Sequence, residues 1–71
     1  MKGLLLDKGW TISHECWCGG KHRIEFVHLD KPGTIIKIYP EAGKWRSSRR
    51  GRRIGEGVTE SFETFINGMV E

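Results

Sequence analysis

The stretch Gly19-Gly-Lys-His-Arg-Ile-Glu-Phe-Val-His-Leu-Asp-Lys-Pro-Gly33 decides the fold of this 71-residue chain. A glycine pair precedes, and a Pro-Gly turn follows, a segment rich in β-branched and aromatic residues, which is typical of a strand between two turns. Proline presets φ, and glycine supplies the positive φ that such a turn needs. The sequence therefore predicts a central strand over residues 22–29 that carries two histidines, His22 and His28.

Two further strands and two helices complete the predicted fold. Residues 10–17 and 34–39 are rich in β-branched and aromatic residues and are predicted as strands. The apolar triplet at residues 4–6 fits a strand or a helix, and Gly9 favours a helix because glycine often follows the last helical turn. We expect an α+β domain of the order α-β-β-β-α. Its three-stranded antiparallel sheet has helices on one face, and the first helix is short or absent.

The C-terminal segment has the periodicity of an amphipathic helix. Its apolar residues recur at helical spacing and form one stripe, which consists of Val58, Phe62, Phe65, Ile66 and Met69. Thr59 is the predicted N-cap, and acidic residues follow it in the first turn. A stripe of this kind must be buried, so we expect the helix to cover the sheet.

A basic segment separates the third strand from this helix. The chain carries a net charge of +3, and the excess is concentrated in the run Arg46-Ser-Ser-Arg-Arg-Gly-Arg-Arg53. Because residues 41–57 also contain four glycines, we expect a long irregular loop within a single domain spanning residues 1–71. Arginine offers forked donors to phosphate, and a nearby ring can stack on a base. The predicted RNA-binding residues in this loop are Trp45, Arg46, Arg49, Arg50, Arg52 and Arg53. The alternative is a solvated, mobile loop.

Strand alternation assigns the side chains of the sheet to two faces. If the hairpin loops have an even number of residues, the face under the helices holds Trp10, Ile12, Val27, Leu29, Ile36 and Ile38. The uncovered face then holds Glu15, Trp17, His22, Phe26, His28, Lys37 and Tyr39. A bulge at the Gly19-Gly20 turn is the alternative, and it would change the assignment around His22.

Several of these motifs together resemble the HicA family of small mRNA interferase toxins. The matching positions are Leu5, Leu6, Gly9, Trp10, Gly20, His22, Phe26, residues 28–34 and, loosely, residues 66–69. The resemblance covers most of the chain and implies a fold like that of double-stranded-RNA-binding domains. It also implies ribosome-independent RNA cleavage that depends on the motif histidine, His22, and neutralisation by a HicB-type antitoxin.

The chemistry that the resemblance implies suits these residues. RNA cleavage without a metal needs one group to accept the 2′-OH proton and another to protonate the leaving oxygen, and a free imidazole exchanges its proton near neutral pH. We expect His22 to act as general acid or base, His28 or Tyr39 to supply the second proton function, and no cofactor to be needed. Cations must offset the charge on the phosphate, and the candidates are Lys21, Arg23, Lys37 and the arginines of the basic loop.

Two other interpretations stay open. His14, Cys16, Cys18 and His22 carry the nitrogen and sulfur donors of a zinc site, although reduced cysteines packed beside the first strand's apolar residues explain the same pattern. Alternatively, the domain has no catalytic role. It would then bind nucleic acid, or inhibit a protein partner, through the basic loop and the uncovered face of the sheet.

The cellular setting is inferred from what the sequence contains. No apolar run approaches the ~20 residues that a membrane-spanning helix needs. Two cysteines spaced two apart, without a signal-like segment before them, favour a reduced, cytoplasmic setting. The expected partners are RNA and, if the resemblance holds, a HicB-like antitoxin protein.

Overall fold

A computed structural model describes residues 2–69, apart from the side chains of Cys18 and Met69. The elements are α1 (Lys2–Asp7), β1 (Thr11–Cys18), β2 (Lys21–Val27), β3 (Thr34–Tyr39), β4 (Lys44–Arg49), β5 (Arg52–Val58) and α2 (Thr59–Met69). The strands form one antiparallel sheet in chain order, so each strand pairs with its neighbours in sequence. Within residues 2–69, neither helix is long and apolar enough to cross a membrane.

The sheet has five strands, so the predicted three-stranded sheet is wrong. Residues 41–57, expected as an irregular basic loop, contain β4 and most of β5, which pair as a hairpin and extend the sheet beyond β3. The strand β4 does alternate, with Trp45 and Ser47 buried and Lys44 and Arg46 exposed. Serine and glycine at inward positions have low strand propensity, however, and they conceal this alternation in the sequence.

The turn between β4 and β5 shows how so basic a run folds back on itself. Arg50 and Gly51 both have positive φ angles, 51° and 84°, the combination that a two-residue hairpin turn requires. The amide of Arg50 also donates a hydrogen bond to the carbonyl of Gly33 at 2.9 Å, which connects this turn to the β2–β3 connection. The arginine-rich tip is therefore a hydrogen-bonded part of the sheet.

Cross-strand register divides the sheet into a covered face, against which both helices pack, and an open face. On the covered face, Ile24 pairs with Ile38 and Phe26 with Ile36. The buried core on this face consists of Leu5 from α1, Trp10, Ile24, Phe26, Ile36, Ile38, Trp45, and Phe62 and Ile66 from α2. Both helices contribute to this one cluster, so the expectation of helices on one face holds for the larger sheet.

The predicted assignment of side chains to faces is wrong in the middle of the sheet. Phe26, expected on the uncovered face, is fully buried, whereas Val27 pairs with Ile35 on the open face. The cause lies in the connection between β2 and β3: an odd number of residues separates the paired Val27 and Ile35, where the prediction assumed an even number. Leu29 lies in this connection and is 97% exposed, and Ile12 is 40% exposed, so neither belongs to the core.

Each of the two outer strands carries one residue that interrupts regular pairing. The β1–β2 register skips Ser13, and the β4–β5 register skips Ile54. An extra residue on one strand of an antiparallel pair is a β-bulge, which bends the strand and increases its twist. Beyond Ser13, the register places Trp17 opposite His22 and Glu15 opposite Ile24.

Two glycines of β5 allow α2 to lie close to the sheet. A Cβ atom at Gly55 would lie 2.5 Å from a ring carbon of Phe65, and a Cβ atom at Gly57 would collide with the hydroxyl of Ser61. These glycines were predicted to belong to a loop, but their function is to leave room for helix side chains. The close approach of the helix therefore depends on the absence of side chains at these two positions.

The predicted apolar stripe of the C-terminal helix is confirmed in its centre, but the predicted start of the stripe is wrong. Phe62 and Ile66 are each 1% exposed, whereas Val58 belongs to β5 and is 48% exposed. Thr59, the predicted N-cap, directs its hydroxyl to a carbonyl in the β3–β4 turn at 3.2 Å instead. The expected burial of Met69 falls on a side chain outside the described part of the chain.

Replacing Gly55 by Ala should destabilise the fold, because the new methyl group would overlap the ring of Phe65. Overpacking of this kind costs roughly 1–3 kcal/mol of unfolding free energy. Gly68→Ala is the matched control, since a Cβ atom there meets nothing within 4 Å. Chemical denaturation monitored by circular dichroism measures both variants. Equal stability of the two variants would contradict the close packing of α2 on β5.

Candidate nucleic-acid interface

The open face of the sheet carries most of the cationic side chains that the sequence singled out. Its register rows run across the strands, and the middle row consists of His14, Glu25, Lys37, Arg46 and Glu56. The next row contains Cys16, Arg23, Tyr39, Lys44 and Val58. Since both helices pack on the covered face, no described helix shields these rows from solvent.

Two cations stand directly opposite each other at the centre of this face. Lys37 of β3 pairs in register with Arg46 of β4, which brings their Cβ atoms to about 4.5–5.5 Å. None of the ion pairs between described side chains includes either residue. Like charges placed opposite each other destabilise a sheet. Glu25 and Glu56 flank this pair on its two outer sides, but neither forms an ion pair with Lys37 or Arg46.

Other charges around this pair are already matched by acids. Nε of Arg23 lies 3.3 Å from a carboxylate oxygen of Glu25, a separation of ion-pair range without hydrogen-bond geometry. Arg53 contacts Glu56 in an exposed ion pair. Such pairs on a surface contribute little to stability. They engage Glu25 and Glu56, the two carboxylates that stand opposite Lys37 and Arg46 in the same row.

The arginine tip, residues 49–53, lies at one end of the sheet and is more structured than predicted. Nε of Arg49 donates to the hydroxyl of Thr34 at 3.1 Å, and the Arg50 side chain packs beside Gly33. Arg50, Arg52 and Arg53 are exposed. The tip can present cations to a partner, and it does so as a hydrogen-bonded hairpin instead of the irregular loop that the sequence predicted.

A cleft opens at the other end of the sheet, where the β1–β2 and β3–β4 turns lie. It encloses about 490 Å3, and the cations that line it are Lys21, Lys44 and Arg46. His22 and Tyr39 supply rings, and Glu41 and Glu56 supply carboxylates. The length of β4 separates this cleft from the arginine tip by about 17 Å. The tip arginines are therefore not the cations nearest to His22, contrary to the expected arrangement.

His22 is held in a small array with two residues of β1. Its Nε2 atom lies 2.5 Å from a carboxylate oxygen of Glu15, and its ring stacks on Trp17 with centroids 4.1 Å apart and planes 3° from parallel. The His22 side chain is 15% exposed and Glu15 is 40% exposed. The sequence correctly placed these three residues on one face, but that face is the covered one, beyond the reach of the helices. An imidazole beside a carboxylate can exchange protons with a bound substrate.

Hydrogen bonds to the backbone hold the His28 ring away from His22. Its Nε2 atom donates to the carbonyl of Lys8 at 3.1 Å, and its Nδ1 atom accepts from the amide of Asp30 at 3.0 Å. The ring also meets Trp10 edge to face at 5.1 Å. With both ring nitrogens bonded to backbone, His28 joins the end of α1 to the β2–β3 connection. The structure does not bring it together with His22 as a second proton carrier.

Trp45 does not offer its ring to a nucleobase, although the sequence predicted this role. The side chain is 4% exposed, its indole nitrogen donates to the carbonyl of Val58 at 2.9 Å, and its ring packs against Phe62 and Phe65. The alternation of β4 turns Trp45 towards α2. The exposed tryptophan of the chain is Trp17 instead, at 64%.

The predicted zinc ligands do not converge in the described part of the chain. The register places His22 on the covered side, whereas His14 and Cys16 belong to rows of the open face. No group of three or more described His, Cys, Asp or Glu side chains is arranged to hold a metal ion. The fourth predicted ligand, Cys18, has a side chain outside the described part. Cys16 does not carry a free thiol, so the expected reduced state is wrong at that position.

No protein-family model, curated protein or solved structure matches this chain. The resemblance to HicA toxins therefore stays a prediction. The three-stranded fold that it implied is replaced by a five-stranded sheet. The function must be inferred from the geometry of the two uncovered regions, the open face and the array around His22.

Replacing His28 by Ala should lower the unfolding free energy by roughly 1–3 kcal/mol, because a half-buried ring with two backbone hydrogen bonds is removed. His14→Ala is the matched control, since His14 is exposed, and it should stay within about 0.5 kcal/mol of the parent protein. Thermal and chemical denaturation measure both. If His28→Ala removes RNA binding or cleavage without loss of stability, its structural assignment is wrong.

Proposed function

We propose that this protein binds RNA along the open face of its sheet. The observation that carries the proposal is the cationic pair Lys37 and Arg46, placed opposite each other in the centre of an uncovered surface. The carboxylates that flank this pair form ion pairs with Arg23 and Arg53 instead. We choose RNA over other polyanions because the resemblance to mRNA interferases implies an RNA partner. Exposed cations of this kind attract phosphate by releasing condensed counter-ions.

Energetics support this choice over a purely structural role for the pair. Opposed like charges destabilise a strand pair by roughly 0.2–1 kcal/mol, and a neutral partner at either position would avoid that cost. A phosphate bound between Lys37 and Arg46 turns the repulsion into two attractive contacts. Arginine adds forked donors that fit phosphate oxygens. Glu25 and Glu56, which stand opposite the outer sides of the two cations, offset part of the repulsion within the fold, and a bound phosphate would offset the rest.

Cationic side chains continue from the Lys37–Arg46 pair towards both ends of the sheet. Lys44 and Lys21 extend the cationic surface into the cleft, and the arginine tip extends it at the opposite end of the sheet. Tyr39, half-buried on the same face beside Lys44, offers an aromatic ring. Phosphate contacts combined with rings are typical of surfaces that bind single strands.

Replacing both Lys37 and Arg46 by Gln should weaken RNA binding and its salt dependence. Loss of two phosphate contacts lowers the slope of log affinity against log salt by about 1.4 units for a single strand. The control is Lys2→Gln with Lys8→Gln, which removes the same charge from α1 and the turn after it. Fluorescence anisotropy with a labelled RNA, measured across a salt series, gives both slopes. If the two double variants behave alike, binding does not use the centre of the open face.

RNA cleavage is a second candidate function, favoured by the contact between Glu15 and His22. A carboxylate 2.5 Å from an imidazole nitrogen, next to a cleft lined by three cations, supplies the groups that phosphodiester cleavage needs. Glu15 would accept the 2′-OH proton as O2′ attacks phosphorus. Protonated His22 would donate a proton to the 5′ oxygen as the P–O5′ bond breaks. Lys21 and Lys44 would offset the charge that builds on the phosphate.

Cleavage should depend on both members of this pair. His22→Ala and Glu15→Gln should each lower the rate by about 10²- to 10⁴-fold, the usual contribution of a general acid or base, and His14→Ala should not. A substrate with 2′-deoxy sugars should stay whole, and the product should carry a 2′,3′-cyclic phosphate. If the purified protein leaves RNA intact at concentrations where it binds, the cleavage proposal is wrong and the binding proposal stands.

The protein partner implied by the resemblance, a HicB-type antitoxin, stays a prediction. So does the alternative in which the basic surface docks on a protein as an inhibitor. The salt series above separates these cases from RNA binding, because each contact with an RNA phosphate adds a fixed increment to the slope.

A further inference from the structure

Trp17 is an exposed tryptophan whose ring is nevertheless held in place. Its side chain is 64% exposed, yet its ring lies parallel to the His22 ring, with planes 3° apart and centroids 4.1 Å apart. The two residues are direct cross-strand partners near the end of the β1–β2 hairpin. Exposing so large an apolar ring to water is unfavourable. A ligand that covers the free side of the indole would remove that cost.

The orientation of Trp17 is fixed through two successive contacts. The indole rests on the His22 imidazole, and the imidazole is bound by the Glu15 carboxylate at 2.5 Å. His22 is itself mostly buried, with 15% of its side chain exposed. One face of the indole is thus supported by protein, while its exposure leaves the other face to solvent. Such a ring is a preformed stacking surface that needs little ordering when a ligand binds.

We infer that Trp17 is the stacking platform for an unpaired nucleobase of the bound RNA. The inference rests on the proposed function and extends it by naming the form of RNA and the residue that contacts a base. Charge complementarity favours a nucleobase over an apolar protein segment. Lys21 precedes His22 in β2 and lies on the open face, and both residues line the cleft at this end of the sheet. A strand that follows the open face to this end would therefore place a phosphate near Lys21 and the next base on Trp17, at the end of the covered face.

The geometry also predicts a preference for single strands. Since His22 occupies one face of the indole, a base can stack only on the other face. That base must have a free face of its own, and a base inside a duplex has none because its neighbours cover both faces. Proteins that read single-stranded RNA commonly stack splayed bases on aromatic side chains in this way. The cationic open face alone would bind duplex and single strand with similar electrostatics.

Intrinsic fluorescence tests this inference directly, because Trp10 and Trp45 are buried and Trp17 is exposed. Titration of the protein with a single-stranded RNA should quench the exposed fraction of the emission. An RNA with one abasic position in each tested register, and a duplex of the same sequence, are the comparison ligands. The quenching should be largest for the intact single strand and should disappear in Trp17→Leu.

Affinity measurements on two variants complete the test. Trp17→Leu should lower single-strand affinity by roughly five- to 150-fold, the usual range for one stacked base, and leave duplex affinity within about twofold. Trp17→Phe, which keeps an aromatic ring, should recover a large part of the loss. Circular dichroism verifies that both variants fold, as expected for a residue outside the core.

Three results would overturn the inference. In the first, Trp17→Leu binds single strands as tightly as the parent protein. In the second, Trp17→Leu loses equal affinity for single strand and duplex. In the third, Trp17→Leu loses self-association but binds RNA as the parent protein does. In the last case Trp17 would contact a second copy of the chain. If affinity falls in the Lys37→Gln, Arg46→Gln variant but not in Trp17→Leu, only the inference fails. If the parent protein binds no RNA, the proposed function fails as well.

Discussion

The close approach of α2 to β5 is the constraint on which the rest of the structure depends. Gly55 and Gly57 leave the space that Phe65 and Ser61 occupy, and this places Phe62 over Trp45 in the core. Because α1 contributes Leu5 to the same cluster, the buried apolar core of the described residues lies on one side of the sheet. No described helix covers the other side, and Lys37 and Arg46 stand there.

The sequence predicted the first part of the fold better than the second. The Pro-Gly turn after β2 and the glycine pair before it are strong local signals, and both turns are present. The basic hairpin was missed because strand signals depend on β-branched and apolar residues, whereas β4 and β5 use serine, glycine and arginine. The turn at Arg50 was hidden for a related reason, since arginine rarely adopts a positive φ. These segments become strands by pairing, β4 with β3 and β5 with β4.

For the candidate site, the sequence identified the groups and misjudged their arrangement. His22, Glu15 and Trp17 were expected together, and strand alternation was enough to predict this. Their separation from Lys37 and Tyr39 depends on the odd number of residues between the paired Val27 and Ile35, which no local pattern reveals. The contact between Glu15 and His22 was not recognised, because cross-strand contacts require the register. His28 was expected to supply the second proton function. Its ring instead binds the carbonyl of Lys8, which is distant in sequence, and the amide of Asp30 in the following turn.

The two bulged strands have a consequence for how copies of this molecule behave at high concentration. In a sheet built in chain order, β1 and β5 are both edges, and an edge offers unpaired amides and carbonyls that can recruit another chain. Ser13 and Ile54 break the regular spacing of those groups, one on each side. A second molecule therefore meets no uninterrupted template for strand addition. These irregularities protect a small, strand-rich protein against aggregation.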